Sequence, residues 1–145
     1  METATSLWVR ADPRTIYDLA AAVQDWPRIL PHYRRVIVLH DDGLRRVLEM
    51  RARRGLIPVG WTAEQRLFPS EPRIAFTHIR GITRGMRVAW TFSPRPEGTL
   101  VRVWHWFSPH WPLVPDWLVH LVVGRFFVDA IAGRTLRCLA QEASR

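Results

Sequence analysis

Apolar and polar residues alternate along the central part of the chain, and a helical period replaces this alternation near both ends. Between Arg35 and Phe107 an apolar residue recurs at almost every second position, which is typical of strands with one buried face. Short stretches rich in Gly, Pro, Asp and Ser separate these runs. The pattern predicts strands at residues 3–10, 36–40, 44–53, 59–68, 73–80, 86–92 and 99–107.

Helical patterns lie on both sides of this region. Asp12-Pro13 predicts a helix start, because Asp accepts an orphan backbone N–H and Pro suits the first turn. Trp26-Pro27 begins a second, short helix. Apolar residues three and four apart predict one long helix from Asp116, as its N-cap, to about residue 142. Its predicted apolar face consists of Leu118, Leu121, Val122, Val128, Ile131, Ala132, Leu136 and Leu139.

The connections between the strands are too short for crossovers, so consecutive strands must be antiparallel. Asp41-Asp42-Gly43 is a strong hairpin signal. No linker or internal repeat divides the chain, and we expect one domain over residues 1–145. The predicted fold class is α+β. It is a curved antiparallel sheet of about seven strands wrapped around the long C-terminal helix, with two short helices after the first strand.

The alternation also predicts which strand residues face the interior. The inner face carries large aromatic side chains, aliphatic ones and a few polar groups, which is typical of a pocket for a flat or elongated apolar ligand. The candidate ligand-binding residues are Met50, Trp61, Gln65, Phe76, Trp90, Phe92, Val103 and Phe107, together with Phe127 of the long helix. The same residues would also suit an ordinary hydrophobic core, so both interpretations stay open.

The outer face of the sheet is predicted to be polar. Arginines between Arg45 and Arg54 alternate with acidic residues of neighbouring strands, as expected for cross-strand ion pairs in contact with water. Trp104 and Trp106 also fall on this face. They predict an apolar strip that is covered by a terminal segment or used in a homodimer.

Composition limits the classes of partner that we expect for the chain. It has 21 basic and 13 acidic residues and a net charge of +8, but every basic residue is arginine and the arginines are spread along the sequence. We therefore do not expect a nucleic-acid partner. No segment reaches the roughly 18 apolar residues of a membrane span. The N-terminus lacks the apolar region of a secretory signal, so we expect a cytoplasmic protein.

The motifs of several common chemistries are missing. The sequence contains no G-x-S-x-G, no P-loop and no G-x-G-x-x-G, and its six histidines have neither H-x-H nor H-E-x-x-H spacing. We expect neither a metal nor a cofactor, and Cys138 is expected to be a small core residue. Two histidines, His78 and His105, are predicted to face the interior, where an unpaired imidazole costs about 1–3 kcal/mol. They are therefore candidate functional residues.

Residues 12–19 read Asp-Pro-x-x-Ile-Tyr-Asp-Leu, and residues 25–36 read Asp-Trp-Pro-x-x-Leu-Pro-x-x-x-x-Val. Together with Gly81, Trp90-x-Phe92-x-Pro94, Gly98-Thr99 and the closing helix, these runs resemble the START-like (SRPBCC) superfamily. The most similar branch is the polyketide cyclase/dehydrase branch, which includes the aromatase/cyclases. The coenzyme Q-binding START proteins are more distant. The resemblance spans almost the whole chain, and its motifs mark the fold rather than an activity.

This resemblance implies a helix-grip fold with a deep cavity that binds lipids, quinones, polyketides or other hydrophobic molecules. In cyclase members such a cavity folds a poly-β-ketone chain, while polar side chains assist enolisation, aldol closure and loss of water. Carried over by position, His78, His105 and Arg80 are the catalytic candidates, with Gln65 as a further polar group. A guanidinium at the mouth, from Arg54 or Arg80, would hold an enolate or the phosphate of a carrier arm.

Three functional hypotheses follow. The first is a carrier that binds a hydrophobic or aromatic small molecule, with histidines held by backbone partners. The second is a polyketide cyclase/aromatase-like enzyme, with free imidazoles or arginines that converge on one point. The third is an interaction module without a ligand-sized cavity.

The apolar segment from Trp111 to Trp117 precedes the long helix. It is predicted to be either a lip at the cavity mouth that touches a membrane, or a packed connection that orients the helix.

Overall fold

The computed structural model describes residues 1–108 and 111–145. One antiparallel sheet of seven strands has the order β1-β7-β6-β5-β4-β3-β2, so that β1 lies at the edge beside the last strand. The strands are β1 (Glu2–Val9), β2 (Tyr33–Asp41), β3 (Arg45–Arg54), β4 (Ile57–Phe68), β5 (Arg73–Arg80), β6 (Arg87–Arg95) and β7 (Gly98–Trp106). The C-terminal helix contacts both β1 and β3, which lie near opposite edges of the sheet. The predicted α+β helix-grip fold is confirmed.

Two short helices follow β1, as the sequence predicts. They are α1 (Pro13–Ala21) and α2 (Trp26–Ile29), joined by a 3₁₀ turn at Val23–Asp25. The side chain of Asp12 caps α1 by accepting hydrogen bonds from the backbone N–H of Thr15, at 2.9 Å, and from its hydroxyl, at 3.1 Å. The indole Nε1 of Trp26 donates to the carbonyl of Leu19 at 3.2 Å. This bond fixes the second helix against the first.

The C-terminal helix has three consecutive parts: α3 (Asp116–Val122), a π-helical segment (Val123–Ala132) and α4 (Gly133–Ala143). Its buried side chains recur every four residues, a wider spacing than the 3.6 of an α-helix. They include Val119, Val123, Phe127, Ile131, Thr135 and Leu139. The predicted apolar face is therefore wrong in the first two turns, where Leu118, Leu121 and Val122 are exposed.

The predicted N-cap of this helix is also wrong. Pro115 occupies the N-cap position, and Asp116 is the first helical residue. There its negative charge still suits the positive end of the helix dipole.

The outer face of the sheet is polar, as predicted. The guanidinium of Arg45 on β3 pairs with the carboxylate of Glu64 on β4 at 2.8 Å, and Arg66 pairs with the same carboxylate. Trp104 and Trp106 stack on this face, with ring centroids 6.0 Å apart. Arg45 and Glu64 thus form the expected cross-strand ion pair, while Arg66 lies on the same strand as Glu64.

Candidate functional site

A cavity of about 40 Å³ lies between the inner face of the sheet and the C-terminal helix. A single water molecule needs roughly 10–15 Å³ on this measure, so the space holds about three waters. Most of the side chains around it are apolar or aromatic. The lining residues are Trp26, Tyr33, Met50, Trp61, Phe76, His78, Val88, Trp90, His105, Phe127, Ile131, Ala132 and Thr135.

Three rings form the tightest part of this lining. The rings of Trp61 and His78 lie parallel, 5° apart in orientation, with centroids separated by 5.6 Å. Phe127 of the π-helical segment meets both of them edge-on, at 4.9 Å from Trp61 and 5.5 Å from His78. Phe127 is therefore the helix side chain that closes the cavity against the sheet.

Gly81, directly after β5, lets the chain pass close to Trp61. Its φ is +103°, and a Cβ at this position would lie 2.9 Å from the carbonyl oxygen of Gly60 and 3.2 Å from the Cα of Trp61. Only glycine fits this backbone conformation and this close approach without strain. The same turn carries Thr83, a buried residue whose hydroxyl forms a hydrogen bond with His78.

His78 is almost fully buried, and its Nδ1 lies 2.7 Å from the hydroxyl of Thr83. Burial lowers the pKa of His78 to about 3, and the neighbouring His105 adds to this effect. The imidazole is therefore neutral at pH 7. Because Nδ1 is engaged, the other ring nitrogen is the one available for a guest.

His105 on β7 is also buried, and burial lowers its pKa to about 4. Its Nδ1 has no hydrogen-bond partner among residues 1–108 and 111–145. A neutral, unpaired ring nitrogen in an apolar cavity is a strong hydrogen-bonding site, because leaving it unsatisfied is costly. The sheet wall of the cavity thus carries two neutral imidazoles, and neither side chain has a backbone hydrogen-bond partner in the described part of the chain.

A second polar group lies on the helix wall. The hydroxyl of Thr135 donates to the carbonyl of Ile131 at 2.8 Å, and His32 Nε2 lies 2.8 Å from the same hydroxyl oxygen. Since the hydroxyl proton is already used, Nε2 of His32 must carry the proton of that second bond. Burial, followed by the nearby Arg134, lowers the pKa of His32 to about 4. Burial raises the pKa of Tyr33, which lines the cavity beside this group.

This helix-side group does not follow from the strand alternation. His32 lies in the connection before β2, and Tyr33 is the first residue of β2. Neither position belongs to an alternating run of apolar and polar residues. Thr135 is a polar residue within the four-residue stripe of Ile131 and Leu139, and that interruption is the signal by which the sequence could have revealed it.

Seven of the predicted site residues line the cavity: Met50, Trp61, Phe76, Trp90, Phe127, His78 and His105. Four others are buried but lie outside its lining. Gln65 Nε2 donates to the carbonyl of Ala21 at 3.1 Å, and Phe92 packs against the ring of Tyr17. Val103 lines a smaller cavity next to the first one. The backbone N–H of Phe107 donates a hydrogen bond to the carbonyl of Met1. These four contribute to the core that supports the cavity.

Arg80 does not face the cavity. It is exposed and lies in a surface groove with Arg51, Gly60 and Thr62. Thr62 pairs with Arg80 and Ala63 with His78, so β5 has one extra residue at this point. This bulge breaks the alternation, and Arg80 therefore does not share the face of His78. The guanidinium of Arg54 lies 5.6 Å from the ring of Phe126, outside the lining.

Within the described residues, no group of three or more His, Cys, Asp and Glu side chains is placed to hold a metal ion. Cys138 is half-buried against the core. No helix of the described chain is long and apolar enough to cross a bilayer.

Comparisons with solved structures identify several similar folds. A protein of Thermus thermophilus superposes with a TM-score of 0.85 at 21% identity, covering 99% of this chain and 97% of that one. The Zhui aromatase/cyclase of a Streptomyces species gives 0.85 at 20% identity, with 100% and 94% covered. A START superfamily protein of Mycobacterium smegmatis gives 0.76 at 17% identity, with 98% and 96% covered. At these identities the similarity establishes the fold.

Among curated proteins, none matches the sequence significantly. The sequence profile described as "Polyketide cyclase / dehydrase and lipid transport" matches residues 9–139, which is nearly the whole chain. The chain therefore belongs to the polyketide cyclase / dehydrase and lipid transport family.

Proposed function

We propose that the protein binds a hydrophobic small molecule with an aromatic ring and a hydroxyl group in the cavity between sheet and C-terminal helix. The observation that carries the proposal is the lining itself, in which aromatic walls surround a few polar groups. A flat ring would stack on Trp61, in the place that the ring of Phe127 occupies. Neutral imidazoles at His78 and His105 would accept a hydrogen bond from its hydroxyl.

The size of the cavity implies that the helix wall moves when a guest enters. A void of about 40 Å³ holds no aromatic ring, and dry cavities that bind benzene are about 150 Å³. Phe127 occupies the place next to Trp61 and His78 that a ring would take. Its outward rotation, with the π-helical segment that carries it, would enlarge the space without disturbing the sheet. Such π-helical segments occur frequently at functional sites.

Titration with 2-naphthol, followed by calorimetry, tests this proposal in the wild type and in Phe127→Ala. If the wild type is open for about a tenth of the time, removal of the Phe127 ring should tighten binding about tenfold. Phe126→Ala is the matched control, because Phe126 is the adjacent phenylalanine and lies outside the lining. The proposal fails if neither the wild type nor Phe127→Ala binds, or if Phe126→Ala changes the affinity equally.

A second function, cyclisation and dehydration of a poly-β-ketone, is favoured by the unpaired Nδ1 of His105. In this reaction the neutral imidazole takes a proton from a carbon between two carbonyls. That carbon forms a bond to a distant carbonyl carbon of the same chain, whose oxygen receives a proton. Loss of this hydroxyl with a neighbouring hydrogen then releases water and leaves a carbon–carbon double bond.

A synthetic linear poly-β-ketone thioester, analysed by chromatography and mass spectrometry, tests this second function. The wild type should form one cyclised product above the spontaneous background. His105→Gln should lower that rate 10²–10⁴-fold, as expected for loss of a general base. The same variant should weaken 2-naphthol binding by only about fivefold, as expected for loss of one hydrogen bond. A wild-type product distribution equal to that without protein would exclude the cyclase function and leave the carrier.

A further inference from the structure

Most of the exposed large apolar side chains in residues 1–108 and 111–145 lie at one end of the molecule. They belong to the tip of the β3–β4 hairpin, the β5–β6 connection and the chain that enters the C-terminal helix. We call this set the apolar rim and define it by Leu56, Ile57, Ile82, Leu113, Trp117 and Leu121.

Antiparallel pairing explains why these segments meet at one end. Arg54 pairs with Ile57 at the β3–β4 tip, and Thr62 of β4 pairs with Arg80, at the end of β5. Arg87 at the start of β6 pairs with Trp106 at the end of β7, from which the chain leads to the helix. The three segments of the rim therefore lie at the same end of the sheet.

The backbone conformation holds one rim residue, Leu113, outward. Leu56 is 95% exposed, and Leu113 is fully exposed. Leu113 has a φ of +64°, a left-handed conformation that is unfavourable for leucine, while Trp111 and Val114 beside it pack against the core. The predicted lip from Trp111 to Trp117 thus divides into an anchored part and an outward part. Strain that places an apolar side chain in water points to a function for that side chain.

Arginines accompany the apolar residues in the same three segments. Arg53 and Arg54 flank the hairpin tip, Arg84 follows Ile82, and Arg125 lies one turn after Leu121; all four are exposed. None of the four arginines forms an ion pair with another described residue. The guanidinium of Arg54 lies over the ring of Phe126. Long basic side chains beside apolar ones suit a membrane–water interface. There the aliphatic part of the arginine lies in the apolar layer and its guanidinium contacts phosphate.

We propose that the apolar rim is a membrane-docking surface that inserts into the headgroup region of an anionic lipid bilayer. The arginines favour a bilayer over a second copy of the chain, because a two-fold interface would bring the same unpaired positive charges together. The rim also adjoins the cavity. Ile82 lies next to Thr83, the partner of His78, and Leu121 precedes the π-helical segment that carries Phe127.

Flotation with vesicles tests the docking surface directly. Vesicles of phosphatidylcholine alone are compared with equal mixtures of phosphatidylcholine and phosphatidylglycerol, and circular dichroism confirms the fold of each variant. The wild type should float with the mixed vesicles. Leu56→Ser and Trp117→Ser should each lower the partition coefficient about tenfold or more, since each removes a side chain from the apolar layer. Arg84→Gln should lower it about fivefold.

Matched controls lie outside the rim. Leu39→Ser removes an exposed leucine from the β2 edge, and Arg95→Gln removes an exposed arginine from the other end of the sheet. Both should bind vesicles like the wild type. Absence of wild-type flotation overturns the proposal, as does an equal loss in Leu39→Ser. Sedimentation that reveals a dimer disrupted by Leu56→Ser, without flotation, would assign the rim to self-association instead. Binding of 2-naphthol is measured without vesicles, so failure of the cavity proposal is seen separately.

Discussion

The two walls of the cavity differ in how firmly they are held. The sheet wall carries Trp61, His78 and His105 on strands whose backbones are paired on both sides. The helix wall places Phe127 on a π-helical segment, a rarer and less regular geometry than an α-helix. The difference suggests a division of roles: the sheet fixes the polar groups that meet a guest, and the helix controls access. The following predictions test this contrast.

Trp61→Ala should have the largest effect on stability. Trp61 is buried and contacts the rings of Tyr33 on β2, His78 on β5 and Phe127 on the helix. Its removal should lower the free energy of unfolding by about 3–5 kcal/mol. Urea unfolding followed by circular dichroism measures this loss. Trp104→Ala on the outer face is the control and should cost much less, so equal losses would contradict a core role for Trp61.

Acid should destabilise the protein through its buried histidines. The pKa values of His78, His105 and His32 are lowered to about 3, 4 and 4, whereas an unfolded histidine titrates near 6.5. The unfolded chain therefore binds protons first, and the stability present above pH 6.5 is lost as the pH falls toward 4. Between pH 7 and 5.5 each histidine should remove about 1 kcal/mol.

Urea unfolding at these two pH values measures the total, and His105→Gln separates one contribution. The variant should be less sensitive to acid than the wild type by about 1 kcal/mol over this interval. A variant with unchanged pH dependence would show that the pKa of His105 is the same in the folded and unfolded protein.

Gly81→Ala tests the close approach of the β5–β6 turn to β4. A Cβ there would lie 2.9 Å from the carbonyl oxygen of Gly60, and the φ of +103° disfavours any other residue. We expect a loss of about 2–3 kcal/mol, measured as a lower urea midpoint. Gly85→Ala is the matched control, because Gly85 also has a positive φ but has no atom within 4 Å of its Cβ position. The control should lose less, and an equal loss would assign the effect to backbone conformation alone.

Gly124→Ala should have the smallest effect and the opposite sign. No atom lies within 4 Å of its Cβ position, and alanine favours helix over glycine by up to about 1 kcal/mol. The variant should therefore be slightly more stable in thermal unfolding. If the helix wall must move to admit a guest, this stiffer helix should also bind 2-naphthol more slowly, which stopped-flow mixing would detect. Faster binding would argue against helix movement.

The strands and the sheet wall were predictable because alternation depends only on local side-chain direction. Met50, Trp61, Phe76 and Trp90 keep the expected parity, and His78 and His105 follow it into the cavity. Prediction failed where the period itself changes. The bulge in β5 turns Arg80 outward, and the four-residue spacing of the C-terminal helix exposes Leu118, Leu121 and Val122.

The helix-side polar group was missed for a related reason. The contact between His32 and Thr135 joins residues 103 positions apart, and such a pairing depends on tertiary packing rather than on a pattern along the chain. The position of Gln65 outside the cavity lining has a similar cause, because its amide donates to the carbonyl of Ala21 across the core.

The bond between His32 and Thr135 also gives the helix a built-in spectroscopic reporter. The proton that His32 must carry on Nε2 is shielded from solvent and should exchange slowly enough to appear in nitrogen-edited NMR spectra. Its line shape would respond to movement of α4, so the motion of the cavity wall can be followed at one atom without an attached probe group.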